Sequence, residues 1–227
     1  MTAFTSRPFR CLNDMKTYTQ DGVLVLADIS GFTEFVTATE LEHGPQIIAA
    51  LLEAVMGRLA PPLEIQEVEG DAIFAVGPDG VVVPPARLLD VLDSAFVAFK
   101  GRQREMEADD SCACGACRSV ANLDLKIVAH HGRFLRQLVG GRGQLAGVDV
   151  ILAHRLLKNG LERKRAYLLL TEAALRWLGI DLARADLTAH VERYEHFGDV
   201  RCFVRDLPTP VSKPSCRAAA ITETAAA

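Results

Sequence analysis

The chain has 227 residues, 49% of them hydrophobic and 24% charged, which suffices for one substantial core and falls short of two full domains. A formal net charge of −4 and a pI near 5.9, with Lys and Arg scattered along the chain, supply no basic face for nucleic acid or an anionic membrane surface. The opening MTAFTSRPFRCLNDMKTYTQ lacks the uninterrupted apolar run of a secretory leader, and no later apolar stretch approaches about 18 residues without charge. The expectation is a cytoplasmic chain with no nucleic-acid or membrane partner.

Residues 1–20 are polar and weakly patterned and read as an N-terminal arm. Gly22–Asp28 is a strand, and Thr33–Thr39 is helical. After a His43-Gly44-Pro45 break, Gln46–Leu59 carries Ile47, Ile48, Leu51, Leu52, Val55 and Leu59 at amphipathic helical spacing. Pro61-Pro62 ends that helix, and Leu63–Val76 reads as a hairpin turning at Gly70-Asp71. A second long helix, Ala86–Met106, runs into a cysteine-containing insert at about 107–120. The strand Asn122–His130 follows, then a Gly-rich connection through Gly143 and a helix Gly147–Asn159 stopped at Gly160. Tyr167–Leu170 is a strand, Glu172–Leu178 a helix, and Val191–Tyr194 with Val200–Asp206 a final strand pair. From Pro208 the chain is patternless and reads as a flexible tail, leaving one domain over 21–207. This order fits an α+β sandwich: a mixed, mostly antiparallel sheet with helices packed on one side.

Two signals carry chemistry. Asp28 closes an apolar strand and Asp71 sits at the tip of the hairpin, so two carboxylates at strand ends invite a hard divalent cation. Cys112, Cys114 and Cys117 have C-x-C-x-x-C spacing, whereas Cys11, Cys202 and Cys216 are isolated. Without an export signal the cluster reads as metal or redox chemistry before it reads as a disulfide framework. Only three thiols are local, so His130 or His131, at the end of the next strand, or a second subunit would complete a tetrahedral zinc set. A reactive thiol pair or an ordinary reduced loop are the alternatives, and His43 and His196 read as plain surface or loop histidines.

Three blocks resemble the class III nucleotidyl cyclase homology domain, the adenylate and guanylate cyclase family, whose fold is a ferredoxin-like sandwich. They are ADISGFT at Ala27–Thr33, EVEGDAIF at Glu67–Phe74, and LKIVAHHG at Leu125–Gly132 with LAGVDVILAHR at Leu145–Arg155. In this order they span about 21–206, and the cysteine cluster with AHRLLKN is similar to an uncharacterised bacterial branch of such proteins. The resemblance implies that Asp28, Asp71 and the backbone of Ile29 hold two Mg²⁺ or Mn²⁺ ions, and that backbone around Gly31, Phe32 and Thr33 cradles a triphosphate. It places Glu67 and Gln144 at the base-reading positions for a purine nucleoside triphosphate and Arg155 on the transition-state phosphates. It also implies a head-to-tail homodimer, with Asp28 and Asp71 from one copy and Glu67 and Arg155 from the other.

One departure stands out. Four residues before Arg155, on the same helical face, the family places an asparagine that orients the ribose, and this chain has Ile151. An apolar side chain cannot donate to the ribose, and losing such a donor costs about 10²-fold in cyclisation. Asn159 and His154 lie on other faces of that helix. The readings are therefore a cyclase-like nucleotide- and metal-binding protein, a pseudo-cyclase acting as sensor or scaffold, and a zinc or redox interaction module built on the cysteines.

Overall fold

A computed structural model of the chain describes residues 18–38, 43–80, 84–109, 111–112, 114–161, 166–182 and 186–207. The expected tail at 208–227 lies outside the described residues, as do positions 1–17 of the expected arm, with Cys11 and Cys216. Tyr18, Thr19 and Gln20 instead open the first strand, β1 (Tyr18–Ser30). It is followed by α1 (Phe32–Ala38), α2 (Gly44–Leu59), the hairpin β2 (Glu64–Glu69) and β3 (Ala72–Pro78), α3 (Pro85–Glu107), and the short α4 (Gly115–Ser119). Then come β4 (Asp124–Val139), β5 (Arg142–Ala146), α5 (Val148–Leu156), β6 (Tyr167–Thr171), α6 (Glu172–Leu178), β7 (Thr188–Tyr194) and β8 (Gly198–Asp206).

The strands form one eight-stranded sheet in the order β2-β3-β1-β4-β6-β8-β7, with β5 paired to the far end of β4. Every pairing is antiparallel except β4 with β6. The architecture is thus the expected α+β sandwich with a mostly antiparallel sheet and its long helices on one side. β1 runs mid-sheet between β3 and β4, which is why Val23–Ala27 is buried without interruption. Its odd positions, Val23, Val25, Ala27 and Ile29, pack into the main core with α2, α3 and α6. Its even positions, Leu24 and Leu26, face the other way and pack with Phe74, Val150 and Ala153, so α5 covers part of the opposite face. Asp28 continues the even series and emerges on the α5 side.

The structure departs most from the sequence reading at β4. The strand expected to end at His130 continues to Val139 and turns back at Gly140-Gly141, both at positive φ, into β5. The Gly-rich stretch is therefore a two-residue hairpin, for which Gly-Gly is a favoured turn. Pairing with Tyr18–Gly22 of β1 gives the extension its second partner.

Candidate functional site

The two predicted carboxylates come together at one end of the sheet. Asp28 sits opposite Ala72 in the β1–β3 ladder, and the Ile29 amide donates to the Asp71 carbonyl at 3.2 Å, which locks the two strand tips side by side. Burial is the main force on both side chains. It raises Asp28 above the usual carboxylate range, opposed by the Lys126 ammonium 2.8 Å from Asp28 Oδ2. Burial, and then the charge of Asp28, push Asp71 up to about 6. Lys126 comes from β4, where it faces Asp28 in register. One ammonium against two crowded carboxylates leaves net negative charge, and the hard oxygen donors Asp28, Asp71 and the Ile29 backbone fit Mg²⁺ or Mn²⁺. Next along β1, Gly31 turns the chain at φ 86° into α1, which begins at Phe32 and Thr33. The partly buried Phe32 side chain packs against the core.

The other predicted residues gather on a groove between the β2–β3 hairpin and α5. Glu67, Ile151 and Arg155 line one cavity of about 630 Å³, together with Glu69, His154 and Lys158. Glu67 and His154 also line an adjoining cavity of about 560 Å³ with Gln144 and Arg142. Glu67 reaches this side because the β2–β3 register shifts between Ile65 and Glu67, a bulge that explains its imperfect alternation in sequence. Among the described residues, no carboxylate pairs with the Arg155 guanidinium, whereas Ile151 presents a 53% exposed side chain one turn away. His154 is held below its ordinary pKa by burial, opposed by Glu67 and Glu69. Lys158 and Arg142 are groove residues that motif reading had not singled out, and His154, expected on another face of the helix, lines the same groove as Ile151 and Arg155 because the hairpin packs across both faces. Asn159 does not face the groove: its amide nitrogen donates to the Leu156 carbonyl and the Tyr167 hydroxyl, both at 2.8 Å.

The groove wall is held by a polar chain that starts at the buried His130. His130 joins Thr171 Oγ1 through Nδ1 at 2.9 Å and Asp149 Oδ1 through Nε2 at 3.1 Å, while the Arg133 amide donates to Asp149 Oδ2 at 2.7 Å. Asp149 lies in the first turn of α5, so these bonds pin that helix to β4 and to the start of α6. The close fit requires Gly132, where a Cβ would stand 2.4 Å from Asp149 Cγ.

This arrangement corrects the expected zinc set. His130 is committed to Asp149 and Thr171, and His131 bonds Asp79 at 3.0 Å and stacks on Trp177, so neither reaches the cysteines. On β4 the two side chains point to opposite faces of the sheet, His130 toward Asp149 of α5 and His131 toward Trp177 of α6. The histidine beside Cys112, Cys114 and Cys117 is His43, which stands at the start of α2 and was read as a plain loop residue. Hydrogen bonds from the Cys117 amide and then His43 hold the Cys114 thiol down to about 6.

A family model described as "Protein of unknown function (DUF2652)" matches residues 48–166, just over half of the chain. The chain belongs to this DUF2652 family. A relative, "Uncharacterized protein Rv2561/Rv2562" of Mycobacterium tuberculosis (strain ATCC 25618 / H37Rv), is 32% identical over 168 residues, covering 74% of this DUF2652 chain and 77% of the relative.

Among solved structures, the DUF2652 chain is similar to a bacterial light-regulated adenylyl cyclase, with TM-score 0.62 and 12% identity over 84% of the chain. It spans only about half (52%) of that protein's length. It is also similar to the adenylyl cyclase CyaB from P. aeruginosa (TM-score 0.57, 14% identity, 87% of this chain and 100% of that one). A third similar structure is the guanylate cyclase domain of RhGC from Catenaria anguillulae in complex with GTP (TM-score 0.54, 14% identity, 83% and 97%). At these identities the likeness establishes the fold: this DUF2652 chain has the fold of class III adenylyl and guanylyl cyclase domains. None of the helices among its described residues is long and apolar enough to cross a membrane.

Proposed function

We propose that this protein binds a purine nucleoside triphosphate with divalent metal at a cyclase-type site shared by two copies arranged head to tail. The observation that carries the reading is the grouping of its residues. Glu67, Gln144 and Arg155 line one continuous groove, while Asp28 and Asp71 form a separate acidic pair at the strand tips. A second copy turned end for end would bring one group against the other.

In this reading the Glu67 carboxylate accepts hydrogen bonds from guanine N1–H and the 2-amino group, and the Gln144 amide, able to donate and accept, reads the base without fixing its identity. Arg155, which no carboxylate among the described residues pairs, supplies a cation to the phosphates. Backbone N–H groups around Gly31, Phe32 and Thr33 donate to the phosphate oxygens, and Asp28, Asp71 and Ile29 hold Mg²⁺ or Mn²⁺. Metal held by these residues would supply charge neutralisation to the phosphates and would acidify an attacking hydroxyl. Calorimetric titration of ATP and GTP in the presence of Mn²⁺, on wild type and Asp28→Ala, tests it. Binding by the wild type that Asp28→Ala abolishes supports the reading, and indistinguishable titrations of the two overturn it.

A second reading, retention of binding without turnover, is favoured by Ile151. It occupies the groove one turn before Arg155, and the nearby amide of Asn159 is spent on Leu156 and Tyr167. Tight triphosphate binding with no 3′,5′-cyclic product from any nucleotide selects this sensor or scaffold role over a cyclase.

A further inference from the structure

We propose that Cys112, Cys114, Cys117 and His43 form a structural Zn²⁺ site that fastens the α3–α4 connection to the start of α2. This site lies apart from the nucleotide groove and stands independently of it. Four ligand atoms, three Sγ and His43 Nδ1, all fall within 4.8 Å of one another. Nδ1 is 3.3 Å from Cys114 Sγ, 3.4 Å from Cys112 Sγ and 3.8 Å from Cys117 Sγ. A tetrahedral zinc with Zn–S near ~2.3 Å and Zn–N near ~2.05 Å requires an N···S separation of about 3.6 Å. The three observed distances straddle that value, so His43 Nδ1 stands at a tetrahedral ligand-to-ligand separation from each of the three thiols.

The local backbone supports the same assignment. The Cys117 amide donates to Cys114 Sγ at 3.4 Å, with Cys114 capping α4. An amide directed at a thiolate sulfur stabilises the charge that a zinc ligand must carry. The sequence distance is also informative, because His43 lies 71 residues from Cys114 and, among the described residues, its ring bonds only to these three thiols. α4 rests on α1 and α2, and its Ala116 is fully buried in the main core. The far end of the connection is already tied down, since Gln103 Nε2 donates to the Val120 and Leu123 carbonyls at 2.7 Å each. Zinc would fasten the near end. Loading is a proton exchange: Zn²⁺ enters, the three thiols bind as thiolates and their protons leave to solvent, with no electron transferred. All four ligands are partly exposed, which gives the ion a way in.

The test uses untagged full-length protein, purified without chelator and under reducing conditions. Metal analysis should find about one zinc per chain in the wild type. Exchange with Co²⁺ should give sulfur-to-cobalt charge-transfer bands and the intense visible bands of a tetrahedral ion. Cys114→Ser and His43→Ala should fall to near zero zinc, while His131→Asn keeps its full complement. Should the Cys variants fail to fold, the wild-type cobalt spectrum alone decides the coordination. Three outcomes overturn the proposal: substoichiometric zinc with no tetrahedral cobalt spectrum, a Cys–Cys disulfide in the reducing preparation, or full retention of zinc by His43→Ala.

Discussion

Replacing Asp71 with asparagine should stabilise the metal-free protein at neutral pH and abolish its response to Mn²⁺. The reasoning rests on the buried pair of carboxylates. Asp71 titrates at about 6 in the fold against an ordinary value of 3.8. The folded state therefore holds an extra proton in that window, so wild-type stability falls as pH rises through it, and the cost is fully present above about 6. The full rise corresponds to ~3 kcal/mol at ~1.4 kcal/mol per pH unit. Solvent screening of a partly buried group brings it to about 1–2 kcal/mol. Asparagine has no charge to desolvate, so thermal melts in EDTA should show Asp71→Asn about 2–8 °C above wild type at pH 7–8. That advantage should vanish near pH 4. Added Mn²⁺ should raise the wild-type melting temperature by mass action and leave the variant unmoved. A variant that is less stable than wild type at neutral pH, or whose advantage is the same at every pH, would refute the claim that the two aspartates form a strained, cation-seeking pair.

Three further outcomes follow from the groove and its supports. If the only missing catalytic group is the ribose-orienting amide, Ile151→Asn should raise cyclic-nucleotide formation by about 10²-fold in a Mn²⁺ assay; no change would place the defect elsewhere. Gly132→Ala puts a methyl where Asp149 Cγ already stands 2.4 Å away. It should cost about 2–3 kcal/mol, or roughly 4–12 °C of melting temperature, with α5 losing hydrogen-exchange protection first. Burial holds the His130 pKa below 6.5, with Asp149 opposing and His131 adding to the depression. The unfolded chain therefore gains a proton first as pH falls, and the wild-type denaturant midpoint should fall relative to that of His130→Gln from about pH 7 downward.

Much of this was legible in local sequence. Asp28 and Asp71 could be paired because the first closes an apolar strand and the second sits at a hairpin turn, just before the next apolar strand. Arg155 and Ile151 could be placed on one face because helical spacing fixes it. The failures have equally local causes. Glu67 defied alternation because a bulge in β2 shifts its register. The length of β4 was missed because its second half is paired by Tyr18–Gly22 and by β5, partners that no periodicity reveals. His43 was dismissed because its neighbours in space lie about 70 residues away, beyond any sequence pattern.

The most direct test of the shared site is complementation between two defective chains. Asp28→Ala removes the acidic half and Arg155→Ala the groove half, so neither homodimer should bind the triphosphate with Mn²⁺. Mixed in equal amounts and allowed to exchange subunits, they should regain about one quarter of the wild-type sites, because half the dimers are mixed and one of their two sites is intact. Full silence of the mixture, in chains shown to exchange, would contradict a head-to-tail site and the function proposed for it.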